Sequence, residues 1–231
     1  MRKKDLNIAL KKLKLKKALN TARGRKFKNA RINHEHKLIF IHIPKTAGNS
    51  ITKNLKALGD IDAYNSPKIS KHAKGFEVKE LLGEKIWDDY FSFTFVRNPW
   101  DLMVSAYHWW LQKAPGIKYH QKQAKEVKSL GSFDAFLDSA YGKYMINERF
   151  GDMADWYSDT NNNIIIDHIG KVETINDDWK KICYLNKLEY EPIPHINASK
   201  RKKYREYYNE RTKTMIEERF KRTIEKFGYE F

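Results

Sequence analysis

Cysteine is almost missing from this chain of 231 residues: Cys183 is the only one, so no intrachain disulfide can form. That fits a reducing compartment. Cys183 lies among Trp179, Ile182 and Leu185, the setting of a buried structural thiol rather than a reactive one. Long apolar runs are missing as well. No stretch approaches the roughly 18 apolar residues of a membrane span, and Met1–Leu19 is too rich in lysine for the apolar core of a secretory signal. Internal repeats are absent, and so is the phosphate-loop pattern GxxxxGK[ST] of ATPases. These absences make the expected location cytoplasmic.

Acidic residues are in short supply, 29 against 45 Lys and Arg, for a net charge of +16. The excess is local. Residues 1–37 hold 14 Lys/Arg and two acids, a net +12, while the other 194 residues hold 31 and 27, a net +4. The body is nearly balanced, so no specific nucleic-acid partner is expected. Leu6, Ala9, Leu10 and Leu13 share one face of a helix in the tail, with Lys11, Lys12, Lys14 and Lys16 mostly elsewhere. Arg23–Arg31 then reads as a linker. The chain thus divides into a basic amphipathic extension, 1–37, and a folded body, 38–231. The extension is either simply solvated or a peripheral contact for an anionic membrane or another polyanion.

The stretch from Leu38 to Gly59 organises the body. Leu38–Ile43 is apolar or aromatic apart from His42, with the β-branched content of a buried strand. Pro44 ends that strand because it offers no N–H to a ladder. Asn49 or Ser50 can cap a helix carrying Ile51, Leu55 and Leu58, and Gly59 can stop it. A strand, a tight turn and a helix bring backbone N–H groups and a helix dipole to one point, where Lys45 adds a full charge and Gly48 permits close approach. An ordinary βα turn with a surface lysine is the plain alternative.

A second unit repeats the logic. Phe91–Val96 is a compact strand ending at Arg97, with Asn98 as helix cap and Pro99 as first helical residue. That helix runs through Leu102, Val104, Tyr107 and Trp110. Residues 113–130 read as a lysine-rich surface excursion or lid, and Ser132 opens a helix carrying Phe133, Phe136 and Leu137. Residues 147–163 read as a loop with exposed aromatics, Trp156 and Tyr157. Ile164–Ile169 reads as a third strand, Asn176–Leu185 as a helix, and Ile216, Phe220, Ile224 and Phe227 as the apolar face of a last helix ended by Gly228. Apolar strands alternating with helices imply an α/β fold with a mostly parallel central sheet covered on both faces.

HIPKTAGNS at 42–50 and FTFVRNPWDLMVSAY at 93–107 together resemble the signatures of PAPS-dependent sulfotransferases, in particular the group of carbohydrate 2-O-sulfotransferases and their bacterial relatives. FDAFL at 133–137, IDHIGKVETINDDW at 166–179 and the closing KFGYEF extend the likeness over about residues 36–231. The resemblance implies a P-loop-like three-layer fold. It implies Lys45, Thr46, Ala47, Gly48, Asn49 and Ser50 as the loop for the 5′-phosphosulfate of PAPS, with Lys45 also acting in catalysis. It implies Arg97 and Ser105 at the 3′-phosphate, and His72, between the two motifs, as general base. Arg201, in the cluster Lys200–Lys203, falls where the family has a loop closing over the nucleotide, and a solvated charge run is the alternative there. The acceptor implied is a hydroxyl, on a carbohydrate, with no metal. No stretch offers a Golgi-type membrane anchor.

His42 ranks behind His72 as base and suits a structural or cofactor-orienting role. His108 and His195 are weaker candidates, and Glu77 and Glu80 are possible assistants to His72. Lys171 stands where relatives often carry arginine, so acceptor contacts there do not transfer unchanged. Two other classes of function compete: a nucleotide kinase, which lacks GxxxxGK[ST] and a clear magnesium-holding aspartate (Asp167 lies within an apolar run), and a non-enzymatic polyanion-binding protein acting through residues 1–37.

Overall fold

The computed structural model describes residues 32–58, 61–62, 72–145, 148–149, 151–194 and 200–231. The amphipathic pattern of the tail, Gly59 as a helix stop and His195 lie outside them. In chain order the first half contains β1 (Ile32–Asn33), β2 (Leu38–Ile41), α1 (Gly48–Ala57), β3 (Ile61–Asp62), α2 (Gly75–Leu82), α3 (Glu84–Asp89), β4 (Phe91–Val96) and α4 (Pro99–Gln112). The second half adds α5 (Gln121–Ser129), α6 (Phe133–Asp138), α7 (Ala140–Lys143), the hairpin β5 (Tyr144–Met145) and β6 (Glu148–Arg149), α8 (Ala154–Tyr157), β7 (His168–Lys171), α9 (Ile175–Leu185), α10 (Glu210–Arg219) and α11 (Lys221–Phe227).

The main sheet has the order β3-β1-β2-β4-β7. Its heart is parallel: β4 lies between β2 and β7, with Phe40 opposite Phe93 and Phe93 opposite His168. Two-residue strands β1 and β3 extend one side in antiparallel sense. Among the described residues the sheet starts at Ile32, six residues before the boundary suggested by charge. Alternation sorts the strand side chains into two cores. Leu38, Phe40, Phe93 and Phe95 point to the layer of Ile51, Leu55, Trp179, Ile182 and Cys183, from α1 and α9. Ile39, Ile41 and Val96 point to the larger opposite layer, which includes Val78, Met103 and Phe136. A three-layer α/β arrangement results, as the sequence led us to expect. Cys183 is buried, and burial pushes its thiol up to about 11. No helix among the described residues is long and apolar enough to cross a membrane.

Four expectations are corrected. The third strand is His168–Lys171 rather than Ile164–Ile169. The Asp167 carboxylate accepts from the Ser92 N–H at 2.7 Å and from its hydroxyl at 2.6 Å, taking a position a ladder carbonyl would fill. Gly170 then lets Phe95 lie close, since a Cβ there would come within 2.7 Å of the Phe95 ring. Trp156 and Tyr157 are not exposed: they are 3% and 2% accessible. Residues 113–130 are a surface excursion packed onto the body rather than a lid, because Ala114, His120, Ala124 and Val127 are buried while the lysines stay outside. The last apolar stripe spans two helices, α10 and α11, separated at Phe220; Gly228 does close the second, at φ 62°.

Candidate active site

Beyond β2 the chain turns sharply. Lys45 and Ala47 have φ of 66° and 60°, left-handed values that cost a non-glycine residue on the order of 1 kcal/mol or more. Thr46 lies between them, fully buried, its hydroxyl donating to the Ile43 carbonyl at 2.9 Å. The Ala47 carbonyl accepts from Ser50 N at 2.9 Å and Ile51 N at 3.2 Å. Ala47 is thus the helix cap, and α1 begins at Gly48, ahead of the Asn49 and Ser50 caps expected from sequence. The left-handed backbone at Ala47 makes the turn without a capping side chain. The opening turn of the ten-residue α1 contributes N–H groups that have no carbonyl one turn back, and the positive end of its dipole.

Gly48 is required by what sits above it. A Cβ at this position would fall 1.9 Å from His42 Nε2. His42 stacks on Phe40, with ring centroids 5.6 Å apart, and meets the His72 ring edge-on at 4.5 Å. His72, 7% accessible, is bonded through Nδ1 to the His42 carbonyl at 2.9 Å. A carbonyl only accepts, so Nδ1 carries the proton and the lone pair of neutral His72 resides on Nε2. The two histidines are therefore one unit: the main chain of the first sets the tautomer of the second.

At the end of β4 the site is made of side chains. Arg97 donates through Nε and Nη2 to Asp101 Oδ2, at 2.8 and 2.6 Å, and through Nη1 to the Lys45 carbonyl at 3.0 Å. The other Asp101 oxygen accepts from Arg201 Nη2 at 2.6 Å. These side chains are 17%, 21% and 13% accessible for Arg97, Asp101 and Arg201, so Arg201 is no solvated charge. Its Nη1 is buried without a hydrogen-bond partner among the described residues. Asn98 caps α4 as expected, accepting from Trp100 N and Asp101 N, with Pro99 first in the helix. Its own N–H donates to Glu173 Oε1 at 2.6 Å, which fixes α4 to the turn after β7.

Residues four apart on α4 share a face. Asp101, half-buried Ser105 and Trp109 lie along it, and the Lys45 ammonium stands 5.7 Å from the Trp109 ring centroid. Gln112 exchanges hydrogen bonds with the backbone of Lys200, Nε2 to O at 2.7 Å and N to Oε1 at 3.2 Å. That orientation directs its Nε2 also at His108 Nδ1, 3.0 Å away. His108 is then protonated at Nε2, which donates to the Tyr207 hydroxyl at 2.8 Å. Burial, aided by Arg201, lowers the His108 pKa from its ordinary 6.5. Lys171 is turned to the protein, its ammonium donating to the Phe227 carbonyl at 2.9 Å. Glu77 is likewise structural, accepting from Lys74 N at 2.7 Å as part of the α2 cap.

Arg97 and Arg201 come together on Asp101, and Arg97 also holds the Lys45 carbonyl, which opens the turn Thr46 to Ser50; Ser105 is on the same helix as Asp101. His72 is connected to this turn through His42, whose ring lies against Gly48. Sequence reasoning missed Asp101, although its i,i+4 spacing from Arg97 was a usable signal. It also missed Trp109 and the His42 carbonyl, for which no local signal exists.

A protein of Archaeoglobus fulgidus described as uncharacterized is 27% identical over 128 residues, which cover 55% of this chain and 93% of that protein. No solved structure matches the chain. The profile of the sulfotransferase family matches residues 28–230, a span that contains both strand ends and every element between them, and the chain belongs to that family.

Proposed function

We propose that this sulfotransferase moves a sulfuryl group from PAPS to an acceptor hydroxyl, on a carbohydrate, with His72 as general base. The observation that carries the reading is the Arg97 guanidinium. It joins the Lys45 turn to Asp101, and through Asp101 to Arg201. Two cationic sites side by side suit a nucleotide with phosphate at both ends of its ribose. The loop from Lys45 to Ser50 would hold the 5′-phosphosulfate, while Arg97, Ser105 and Arg201 would hold the 3′-phosphate. The partnerless Arg201 Nη1 is a donor in want of an acceptor, as a phosphate oxygen would be.

In the reaction the acceptor oxygen bonds to sulfur as the bond from sulfur to the phosphate oxygen breaks. The acceptor proton passes to His72 Nε2. The products are a sulfate ester and 3′,5′-ADP, whose emerging 5′-phosphate charge is met by Lys45 and the loop N–H groups. Calorimetry of 3′,5′-ADP with Lys45→Ala and Arg97→Ala tests the assignment, and unaltered affinity in both variants removes it. His72→Ala should keep nucleotide affinity and lose about 100-fold or more in turnover. A screen of acceptors with labelled PAPS then identifies the hydroxyl.

The basic segment 1–37 is proposed as a peripheral contact for anionic surfaces, which leaves nucleotide binding to the body. Deleting residues 1–31 should accordingly preserve 3′,5′-ADP affinity.

A further inference from the structure

We infer that Trp156 is a positioning residue for His72, holding the base from behind through its peptide carbonyl; the inference rests on the reading of His72 given above. The indole Nε1 of Trp156 donates to the His72 carbonyl at 2.9 Å, in a buried contact spanning 84 residues of chain. Two further contacts bind the same short stretch to α8. A Cβ on Gly75 would lie 2.8 Å from the Trp156 carbonyl, so the first turn of α2 rests directly on the Trp156 backbone. The Lys74 ammonium stands 5.6 Å from the Trp156 ring centroid and 3.7 Å from Asp155 Oδ2. Residues 72–75 are thus gripped at a carbonyl, a side chain and a glycine, all by residues 155 and 156.

The grip is itself grounded. Buried Asp152 accepts from Ala154 N at 3.0 Å, from Thr223 N at 3.2 Å, and from the Thr223 hydroxyl as well. Arg222 pairs with Asp155 and donates to Asn162 Oδ1 at 2.7 Å. The loop carrying Trp156 is therefore nailed to α11. The route from that helix crosses to Asp152 and Ala154 by hydrogen bonds and follows the backbone to Trp156. It then crosses from the indole to the main chain of His72, and ends with the His72 ring on the carbonyl of His42. The last link fixes which nitrogen accepts the proton. Loss of the Trp156 hydrogen bond would let the ring tilt away from the His42 carbonyl, and a displacement of about 1 Å in a reacting group can cost 100-fold in rate.

The test is Trp156→Phe, which keeps an aromatic ring in the core and removes the N–H. Nitrogen-15 NMR of the histidine rings, with His72 assigned by its loss in His72→Ala, should show the proton on Nδ1 in the wild type. In Trp156→Phe the His72 signals should move toward a mixture of tautomers. With PAPS and a methyl glycoside as probe acceptor, kcat should fall about tenfold or more with KM for PAPS unchanged. Added to His72→Ala, the substitution should cost nothing further, since it acts through a base already gone. Unshifted His72 signals, or an equal loss of kcat on the His72→Ala background, would overturn the inference. If His72→Ala keeps its turnover, the base assignment fails, and the NMR arm still decides whether Trp156 holds the ring. Should Trp156→Phe fail to fold, Asp155→Asn loosens the same stretch from outside. It should then shift the His72 signals in the same direction by less, and no shift counts against the proposal.

Discussion

The end of β2 presents main chain and the end of β4 presents side chains, although the two strands are parallel neighbours. After β2 the turn depends on left-handed φ at Lys45 and Ala47 and on a glycine at 48. After β4 the backbone is ordinary, capped by Asn98 and Pro99, and the work falls to Arg97, Asp101 and Arg201. A backbone cradle is rigid and tolerates changes of side chain, except where space is short. A guanidinium network is strong and specific but depends on every member. The contrast suits the proposed ligand: one end must meet the charge that develops on the leaving phosphate, whereas the other only has to hold.

The comparison can be broken at the binding step. Arg97→Ala should weaken 3′,5′-ADP by about 10- to 100-fold, the value of charge-assisted hydrogen bonds worth about 1.5–3 kcal/mol. Lys45→Ala should cost less, because the loop N–H groups remain. Equal losses in calorimetry would erase the distinction. Next in size, Gly48→Ala places a Cβ against the His42 ring and should destabilise by about 1–3 kcal/mol, read from the urea midpoint. A neutral result there would mean that the turn is softer than its contacts imply.

Smaller effects sharpen the β4 side. Asn98→Ala removes the cap of α4 and should cost about 1 kcal/mol in the same urea measurement. The smallest effect expected is one of pH. His108 titrates below its ordinary 6.5 in the folded protein. Between the lowered value and 6.5 the unfolded chain binds the proton and the folded chain does not. Its contribution to stability is therefore complete above about 6.5 and is lost as pH falls toward the folded value. Urea midpoints at pH 7.5 and 5.5 should lie closer together in His108→Asn than in the wild type; an unchanged gap removes His108 as the source.

What was legible in the sequence was local. Phe91–Val96, the Asn98 cap and Pro99 could be read because a strand end and a helix start are written within a few residues. The same holds for the parallel α/β class. Where the reading failed, a distant partner had decided. Asp167 left its apolar run to serve Ser92, 75 residues back, and the strand moved four positions. Trp156 and Tyr157 sit in a polar stretch whose burial depends on α2 and α11 closing over it. Arg201 was read as one member of a basic cluster, yet it differs from Lys200, Lys202 and Lys203 because Asp101, 100 residues away, receives it. Within the proposed site, the motif residues were visible and the carbonyls and carboxylates that orient them were not.

Cys183 is the chain's only thiol, sealed under Trp179 and Ile182 with its ionisation pushed far above neutrality. For thiol-directed reagents the protein is consequently a silent background. A cysteine placed on exposed Lys202, next to the Gln112 anchor, would be the one reactive handle. A fluorophore attached there would follow the stretch around Arg201 during nucleotide binding in real time, with no need to strip a native cysteine first.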